Sequence, residues 1–238
     1  TAFVSCGRRV ADFKGTYVRL VDIIGEWEKE AAYRSGNHRY TAKQENFSKI
    51  PGSPVAYWVS ENWFKAYDIG IRLGNIGTAS EGVKTGDNNR FLRLWFEVSK
   101  TKFSFCGKWT DKKWIPHSKG GEFRKWYGNL EYAINWLNNG EEIKLSKNSG
   151  LQGKSMYFKN VLCWSKITSK GTSLRYIPEN CLFDSGSPAY KGDDLFYVLA
   201  FVNTIGNILL SAINPTLNCQ VGDIKGLPLI VDEKQKPK

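Results

Sequence analysis

The sequence has 238 residues, of which 41% are hydrophobic and 24% charged. This length and composition suit one large or two small globular domains with a substantial core. Lys and Arg number 34 against 23 Asp and Glu, which gives a net charge of +11. Such a surplus suits a polyanionic partner, most often nucleic acid, although membrane surfaces attract the same charge. A basic surface that serves only solubility is the alternative.

A membrane span and a disulfide framework are both disfavoured. The longest apolar run, 195–213, is interrupted by polar residues and glycine, so no stretch reaches the ~18–20 apolar residues of a membrane span. The five cysteines are an odd number without paired short spacings, which argues against disulfides and against a zinc site. We therefore expect a reducing, cytoplasmic setting, no contact with a membrane and no bound metal.

The first half of the chain shows short strand and helix patterns. Residues 1–22 are rich in β-formers around a turn at Gly15, and 26–32 is typical of a short charged helix. Ser53 and Pro54 are a helix-start signal, followed by apolar residues spaced for one helical face: Val55, Trp58, Val59, Trp63 and Tyr67. Residues 92–98 and 102–106 alternate as strands do.

The second half is dominated by short strands until an apolar helical segment. Tyr132, Ile134 and Trp136 alternate before Asn138-Asn-Gly140, which is typical of a hairpin turn, although a helix there stays open. Short strands are expected at 161–167, 173–177 and 181–184. Asp193 and Asp194 are placed to cap a helix through Phe201, with a break at 203–206, a second helical piece to Ile213, and then a loop and a strand.

These patterns predict an α+β fold: a mixed sheet of short strands with buttressing helices over residues 1–231. A division near residue 115 is left open, and a disordered tail is expected at 232–238.

Catalytic patterns are weak. No Gly-x-Gly occurs, although a backbone that approaches S-adenosylmethionine usually needs such a loop, and Asn214-Pro-Thr216 lacks the second proline and the aromatic residue of an amino-methylase turn. A metal-dependent nuclease could use Asp111 with Glu142-Ile-Lys144, but so short a pattern often arises by chance. His38 and His117 lie in polar contexts typical of surface histidines. We expect no catalytic residue in this chain.

Two glycine-punctuated stretches carry the most informative chemistry: Lys84-Thr-Gly-Asp-Asn-Asn-Arg-Phe-Leu-Arg-Leu-Trp95 and Lys119-Gly-Gly-Glu-Phe-Arg-Lys-Trp-Tyr-Gly-Asn129. Their cations can neutralise phosphates, their Asn and Arg side chains can pair with base edges, and their rings can pack on sugars or bases. A local Asx-turn in the first stretch and core packing of the rings in the second are the structural alternatives. The predicted DNA-contacting residues are Lys84, Thr85, Asn88, Asn89, Arg90, Arg93, Lys119, Arg124, Lys125, Trp126, Tyr127, Lys166 and Arg175.

The chain resembles the C-terminal half of PglX-type adenine-specific DNA methyltransferases. The resemblance rests on both stretches and on an ordered series of further motifs: Ile50-Pro-Gly-Ser-Pro-Val-Ala-Tyr-Trp-Val-Ser60, Asn138-Asn-Gly-Glu-Glu-Ile143, Trp164-Ser-Lys-Ile167, Asn214-Pro-Thr-Leu-Asn218 and Gln220-Val-Gly-Asp-Ile-Lys-Gly-Leu-Pro-Leu229. It covers nearly the whole chain from Gly15 onward. The family belongs to BREX phage-exclusion systems and is related to type II restriction enzymes that fuse methylase and specificity regions.

The resemblance implies a target-recognition region without the methylase domain. The parent protein would methylate the exocyclic amine of adenine with S-adenosylmethionine, which this chain itself would not bind. This region would read double-stranded DNA and position the target adenine for flipping into the methylase half of the same polypeptide. Other phage-defence proteins are further candidate partners.

Two other functions stay open at this point. The chain could be a non-catalytic module whose basic charge meets acidic surfaces of phage-defence partners or phage inhibitors. It could also be a standalone metal-dependent nuclease. Sequence-selective binding of duplex DNA distinguishes target recognition from both.

Overall fold

Two units make up the chain, residues 1–69 and residues 70–238. The structure, a computed structural model, describes residues 2–8, 10–104, 112–214 and 216–231. The tail predicted at 232–238, and Asp111 of the nuclease pattern, lie outside the described residues. None of the helices in the described part is long and apolar enough to cross a bilayer.

The first unit is a hairpin with two helices. Strands β1 (Lys14–Val18) and β2 (Arg39–Lys43) pair antiparallel, and Gly15 lies within β1 rather than at a turn. Helix α1 (Glu26–Arg34) follows β1 and precedes β2 in the chain, and it confirms the predicted charged helix. A 3₁₀ turn (Gln44–Lys49) and helix α2 (Glu61–Ile69) complete the unit.

The helix start predicted at Ser53 and Pro54 is wrong, because α2 begins only at Glu61. Ser53 has a φ of 48°, which is outside the helical region. Of the aromatic residues that suggested a helical face, Trp63 and Tyr67 do lie in α2, whereas Trp58 precedes the helix and packs, with its neighbour Tyr57, on the hairpin. Tyr57 stacks on Tyr17 with a centroid distance of 4.6 Å, and the Arg19 guanidinium lies 4.4 Å from the Trp58 ring.

The second unit contains thirteen short strands among the described residues. They are β3 (Ile71–Arg72), β4 (Gly77–Ser80), β5 (Val83–Lys84), β6 (Leu92–Leu94), β7 (Trp114–Ser118), β8 (Trp126–Tyr127), β9 (Tyr132–Asn135), β10 (Gly150–Leu151), β11 (Val161–Trp164), β12 (Leu174–Ile177), β13 (Leu182–Phe183), β14 (Ala189–Gly192) and β15 (Pro228–Leu229). The strands predicted at 92–98, 161–167, 173–177 and 181–184 are therefore present but shorter, and a 3₁₀ turn at Trp95–Glu97 replaces the end of the first. The strand predicted at 102–106 is not formed in its described part, where a 3₁₀ turn at Lys100–Lys102 precedes a single bridge at Phe103, and its residues 105 and 106 lie outside the described residues.

These strands form one five-stranded sheet, one four-stranded sheet and two small pairs. The five-stranded order is β4-β14-β11-β12-β8, antiparallel except for the parallel pair β12–β8. The four-stranded order is β13-β7-β9-β6, in which β13 is parallel to β7. The mixed sheets confirm the predicted α+β class. Residue 115, near which a division was left open, lies inside β7 and contributes to the core.

One apolar cluster joins the two larger sheets. Ile115 and Ile134 come from the four-stranded sheet, and Val161, Cys163 and Ile177 come from the five-stranded sheet. All four residues of β11 are buried, as expected for a central strand covered on both faces. The two sheets therefore share one hydrophobic core.

Six helices are present in the described part of this unit: α3 (Leu73–Ile76), α4 (Asn88–Phe91), α5 (Leu137–Lys144), α6 (Leu195–Phe201), α7 (Asn207–Ile213) and α8 (Val221–Gly226). Helix α6 packs against β11 and β12, as the predicted buttress requires. The break predicted at 203–206 is instead a π-helical turn, Val202–Gly206, that joins α6 to α7. Its residue Asn203 is fully buried, and its amide donates to Leu174 O (2.9 Å) and accepts from Leu174 N (2.8 Å).

The turn predicted at Asn138-Asn-Gly140 opens α5. All three residues have left-handed backbone, with φ of 50°, 58° and 71°. Right-handed helix follows immediately, so the segment is not the two-residue hairpin that its sequence suggested. A Cβ at position 140 would lie 2.7 Å from the Trp136 ring, which explains why glycine occupies this position.

Candidate nucleic-acid interface

The positive charge of the chain is concentrated in the second unit. Residues 1–69 carry ten Lys and Arg against eight Asp and Glu, whereas the remaining residues carry twenty-four against fifteen. Every residue predicted to contact DNA belongs to this second unit. Electrostatic attraction to a polyanion therefore acts mainly on the unit that contains the two glycine-punctuated stretches.

The first stretch forms a tight loop between β5 and α4. The Thr85 hydroxyl bonds Asn88 Oδ1 at 2.7 Å, and Asp87 Oδ1 accepts from the Arg90 backbone N–H at 3.0 Å. Gly86 has a φ of 73°, and a Cβ there would lie 2.3 Å from Lys147 O. The local Asx-type bonding proposed as a structural alternative is thus present. It leaves the side chains of Lys84, Asn88 and Asn89 exposed.

The two arginines of this stretch are engaged within the protein. Arg90 forms a salt bridge with Glu142 at 3.0 Å, with 58% of the Arg90 side chain exposed. Arg93 Nη1 donates to the carbonyl oxygens of Asn89 (2.5 Å) and Leu92 (2.6 Å). Both guanidiniums remain accessible, yet a contact with DNA would compete with these internal partners.

The second stretch is fixed to the strands behind it. Gly121 O accepts from Ser165 Oγ at 2.9 Å, and Lys125 Nζ donates to Asn203 O at 2.6 Å. Gly120 and Gly121 have φ of 93° and 99°, a region in which residues with a side chain are strained. Arg124, also in this stretch, is exposed and lies 3.6 Å from Glu131.

Two neighbouring rings of this stretch are exposed on an edge strand. Trp126 is 48% exposed and Tyr127 59% exposed, and together they form β8 beside β12. Trp126 has a φ of 74°, which is costly for a bulky residue and persists only when surrounding structure imposes it. The core-packing alternative for these two rings does not hold in this structure.

Two of the predicted contact residues are buried. Thr85 is 3% exposed, and Arg175 is 0% exposed with its Nη2 donating to Ser165 Oγ (3.3 Å) and its Nη1 to Arg124 O (3.5 Å). Burial lowers the pKa of the Arg175 guanidinium. Arg175 was predicted as a basic group that a short strand presents to DNA, but β12 lies between β11 and β8 in the sheet and packs against α6. The buried Arg175 side chain therefore supports the second stretch through its contact with Arg124 O.

A turn that sequence reasoning missed, residues 184–187, connects the predicted groups. The Asp184 N–H donates to Ser118 O (2.9 Å), and the Ser185 N–H donates to Val83 O (3.0 Å). Gly186 O accepts from the Lys166 N–H (3.0 Å). Lys84, Lys119 and Lys166 each lie at or next to one of these three contacts. Lys166 itself pairs with Glu81. The run Asp184-Ser-Gly-Ser-Pro188 after a strand was the available signal, since it combines turn residues with a carboxylate.

A cleft of about 240 Å³ lies where this turn faces the first stretch. It is lined by Lys84, Thr85, Gly86, Asn88, Asp184 and Ser185. The structure therefore brings together part of the first stretch, Lys119 and Lys166 around one turn, while Arg124, Lys125, Trp126 and Tyr127 lie along the β8 edge.

Two of the catalytic candidates, His117 and Glu142, have partners within the protein. His117, expected at the surface, is 0% exposed, because it lies in β7 with its Nε2 3.4 Å from Asp184 Oδ2. Glu142 of the nuclease pattern is occupied by Arg90. Burial raises the pKa of the Cys163 thiol to about 12, which suppresses the reactive thiolate. No cluster of three or more His, Cys, Asp or Glu able to hold a metal occurs in the part of the chain that the structure describes.

Comparison with known proteins identifies two relatives. The chain is 40% identical over 251 residues to an adenine-specific methyltransferase PglX of Lacticaseibacillus casei, an alignment that covers 96% of this chain and 21% of the relative. It is 38% identical over 238 residues to an adenine-specific methyltransferase BrxX of Escherichia coli, covering 97% and 19% respectively. A scan against protein-family models gives no match.

The chain thus spans about a fifth of the length of the curated relatives it matches. The resemblance to PglX-type proteins is confirmed, and the chain corresponds to a segment of such a protein.

Proposed function

We propose, from this correspondence to a segment of PglX-type methyltransferases, that the chain is a DNA target-recognition region. Its task would be to bind duplex DNA, read a short site and present the target adenine to a methylase half outside this sequence. The methyl donor, S-adenosylmethionine, would be held by that other half, in the cytoplasm. The chain's own residues would contribute binding and orientation.

The observation that carries this proposal is the arrangement around the 184–187 turn. The backbones of Lys84, Lys119 and Lys166 lie at or next to its three contacts, with the Lys166 amino group paired to Glu81. The exposed amides of Asn88 and Asn89 lie on the adjoining loop. Amino groups suit phosphate oxygens, and amides suit the edges of bases in the major groove. The packed core behind the loops would keep the amino groups and the amides in fixed relative positions.

The exposed rings add a second kind of contact. Trp126 and Tyr127 lie on an edge strand that is fixed by Lys125 on one side and by the β12 pairing on the other. Rings held in this way can pack against sugars, or against a base that has lost its stacking partner. Such a contact would suit a region that positions a flipped base for the methylase half.

The test is a series of fluorescence-anisotropy titrations of the purified chain against a duplex pool at several salt concentrations, with sequencing of the retained duplexes. We expect an enriched short motif that contains adenine. Lys119→Ala should weaken binding to all sequences and reduce the slope of log K against log salt by ~1. Asn89→Ala should cost ~1–3 kcal/mol on the selected motif and little on other sequences.

Lys225→Ala is the charge-matched control, because Lys225 is exposed on α8, which packs against α3 and β4 and belongs to neither stretch. Equal losses from Lys119→Ala and Lys225→Ala would show a diffuse charge effect. Unselective binding that vanishes at physiological salt would overturn autonomous target recognition.

A protein-interaction module is the second candidate, and one observation favours it. Phe196, Ile205 and Ile208 of the α6–α7 segment are 69%, 62% and 61% exposed. Apolar side chains of this size in solvent often mark a contact with another protein surface. Failure of selective DNA binding together with binding to phage-defence proteins would favour this candidate.

A further inference from the structure

Asp184 lines the cleft between the 184–187 turn and the first stretch. It is an acidic residue in a wall otherwise formed by Lys84 and neutral groups, and its side chain is 12% exposed. Near a surface that binds phosphates, a carboxylate weakens binding unless it meets a hydrogen-bond donor. A ligand that offers a hydrogen-bond donor to this carboxylate would avoid that loss.

Two contacts hold the carboxylate in place. Oδ1 accepts from the Gly186 backbone N–H at 2.7 Å, and Oδ2 lies 3.4 Å from Nε2 of the buried His117. Because a carboxylate oxygen can only accept, a neutral His117 ring must carry its proton on Nε2. Its Nδ1 has no hydrogen-bond partner among the described residues. The histidine thus acts as a fixed support for Asp184.

The carboxylate keeps unused capacity to accept. An ionised carboxylate offers about four lone-pair positions, and the Gly186 and His117 contacts use two of them. No Lys or Arg of residues 2–8, 10–104, 112–214 and 216–231 forms a salt bridge with Asp184. The remaining positions are available to a donor that enters the cleft.

We propose that Asp184 is a specificity residue that accepts a hydrogen bond from the exocyclic amine of a base in the recognised duplex. The inference rests on the proposed function. Cytosine N4 and adenine N6 are the amines that the major groove presents, and acidic side chains pair with such donors. At the same position guanine O6 and thymine O4 are acceptors, which the carboxylate repels. Asp184 thus selects cytosine or adenine and rejects guanine and thymine.

A protein–DNA double-mutant cycle tests this contact. In the selected site, 2-pyrimidinone replaces each cytosine and purine replaces each adenine, one at a time, so that a single exocyclic amine is lost. The protein variants are Asp184→Asn and Asp184→Ala, with Asp193→Asn as a control for the loss of one exposed carboxylate. The full chain is used, and thermal unfolding confirms that each variant is folded.

We expect one substituted position at which the unmodified protein loses about 5- to 150-fold in affinity. At that position the Asp184 variants should lose no further affinity, and the identity of the base analogue shows whether cytosine or adenine is read. Asp193→Asn should leave the loss unchanged. Selection with Asp184→Asn should yield a motif that is relaxed at this position alone.

Other outcomes overturn the assignment. If the fold loss in affinity from the Asp184 substitution and the fold loss from the base analogue multiply at every position, the two changes act independently and Asp184 contacts no amine. If Asp184→Asn tightens binding to all sequences equally, the carboxylate only repels phosphates. In both cases selective binding by the unmodified chain would leave the proposed function standing, whereas unselective binding would overturn the proposed function and this contact with it.

Discussion

The two glycine-punctuated stretches look alike in sequence but are stabilised in opposite ways. The first is closed by its own residues, through the Thr85–Asn88 contact and the Asp87 cap on α4. The second has its backbone tied to distant strands and to the π-helical turn, through Ser165 and Lys125. Composition alone does not distinguish them.

This difference decides which side chains each stretch presents. The first presents amides, because its arginines bond Glu142 and backbone carbonyls. The second presents rings, because Lys125 points inward to Asn203 while Trp126 and Tyr127 remain exposed. Cations in a motif are therefore not equivalent to cations on a binding surface, since an internal acceptor can occupy them first.

The largest expected effect tests the support that the π-helical turn gives to β12, the strand beside the second stretch. Asn203→Ala should destabilise the second unit by about 2–4 kcal/mol, because it leaves the buried N–H and C=O of Leu174 without partners. Urea denaturation followed by tryptophan fluorescence measures the free energy of unfolding. Thr204→Ala is the matched control on the exposed side of the same turn and should cost well under 1 kcal/mol. Equal costs for the two variants would show that β12 does not depend on Asn203.

Local patterns predicted the class and the neighbourhood of many elements. Apolar alternation located β9, and a run of short strands separated by turn residues located β12, although both strands are largely buried on both faces. Periodicity failed at residues 53–60, because the half-buried Tyr57 and Trp58 pack on a hairpin and not along a helical face. Sheet order also could not be predicted, since β8 pairs with β12 although the partners Trp126 and Arg175 are 49 positions apart in the chain.

The candidate site was predictable in residue type but not in detail. Glycines and amides correctly marked the loop at 84–89, since turn chemistry is local. Burial of Arg175 and of His117 depends on strands far away in sequence, and no local pattern reveals it. Asp184 was missed because its neighbours in the cleft come from residues 84–88, about a hundred positions earlier.

Substitutions of Arg175 and Arg124 distinguish a residue that supports the second stretch from one that contacts DNA directly. Arg175→Met should leave the salt slope of DNA binding unchanged, because a fully buried guanidinium releases no counterion from phosphate. Arg124→Ala removes an exposed cation of the same stretch and should reduce the slope by ~1. Anisotropy titrations at several salt concentrations provide both slopes. A reduced slope for Arg175→Met would show that the stretch opens on DNA and exposes this arginine.

The smallest expected effect concerns the first stretch. Glu142→Ala should change the free energy of unfolding by less than ~0.5 kcal/mol, because its salt bridge with Arg90 is exposed on both sides. It should raise DNA affinity by up to about fivefold at low salt, since Arg90 is released and a negative charge is lost. Glu141→Ala is the matched control, because it removes the same charge from the next residue and leaves the Arg90 contact intact. Equal gains from both variants would mean that only net charge matters. A loss of affinity confined to Glu142→Ala would mean that Glu142 orients Arg90 for DNA, and abolition of a magnesium-dependent cleavage would instead favour the nuclease interpretation.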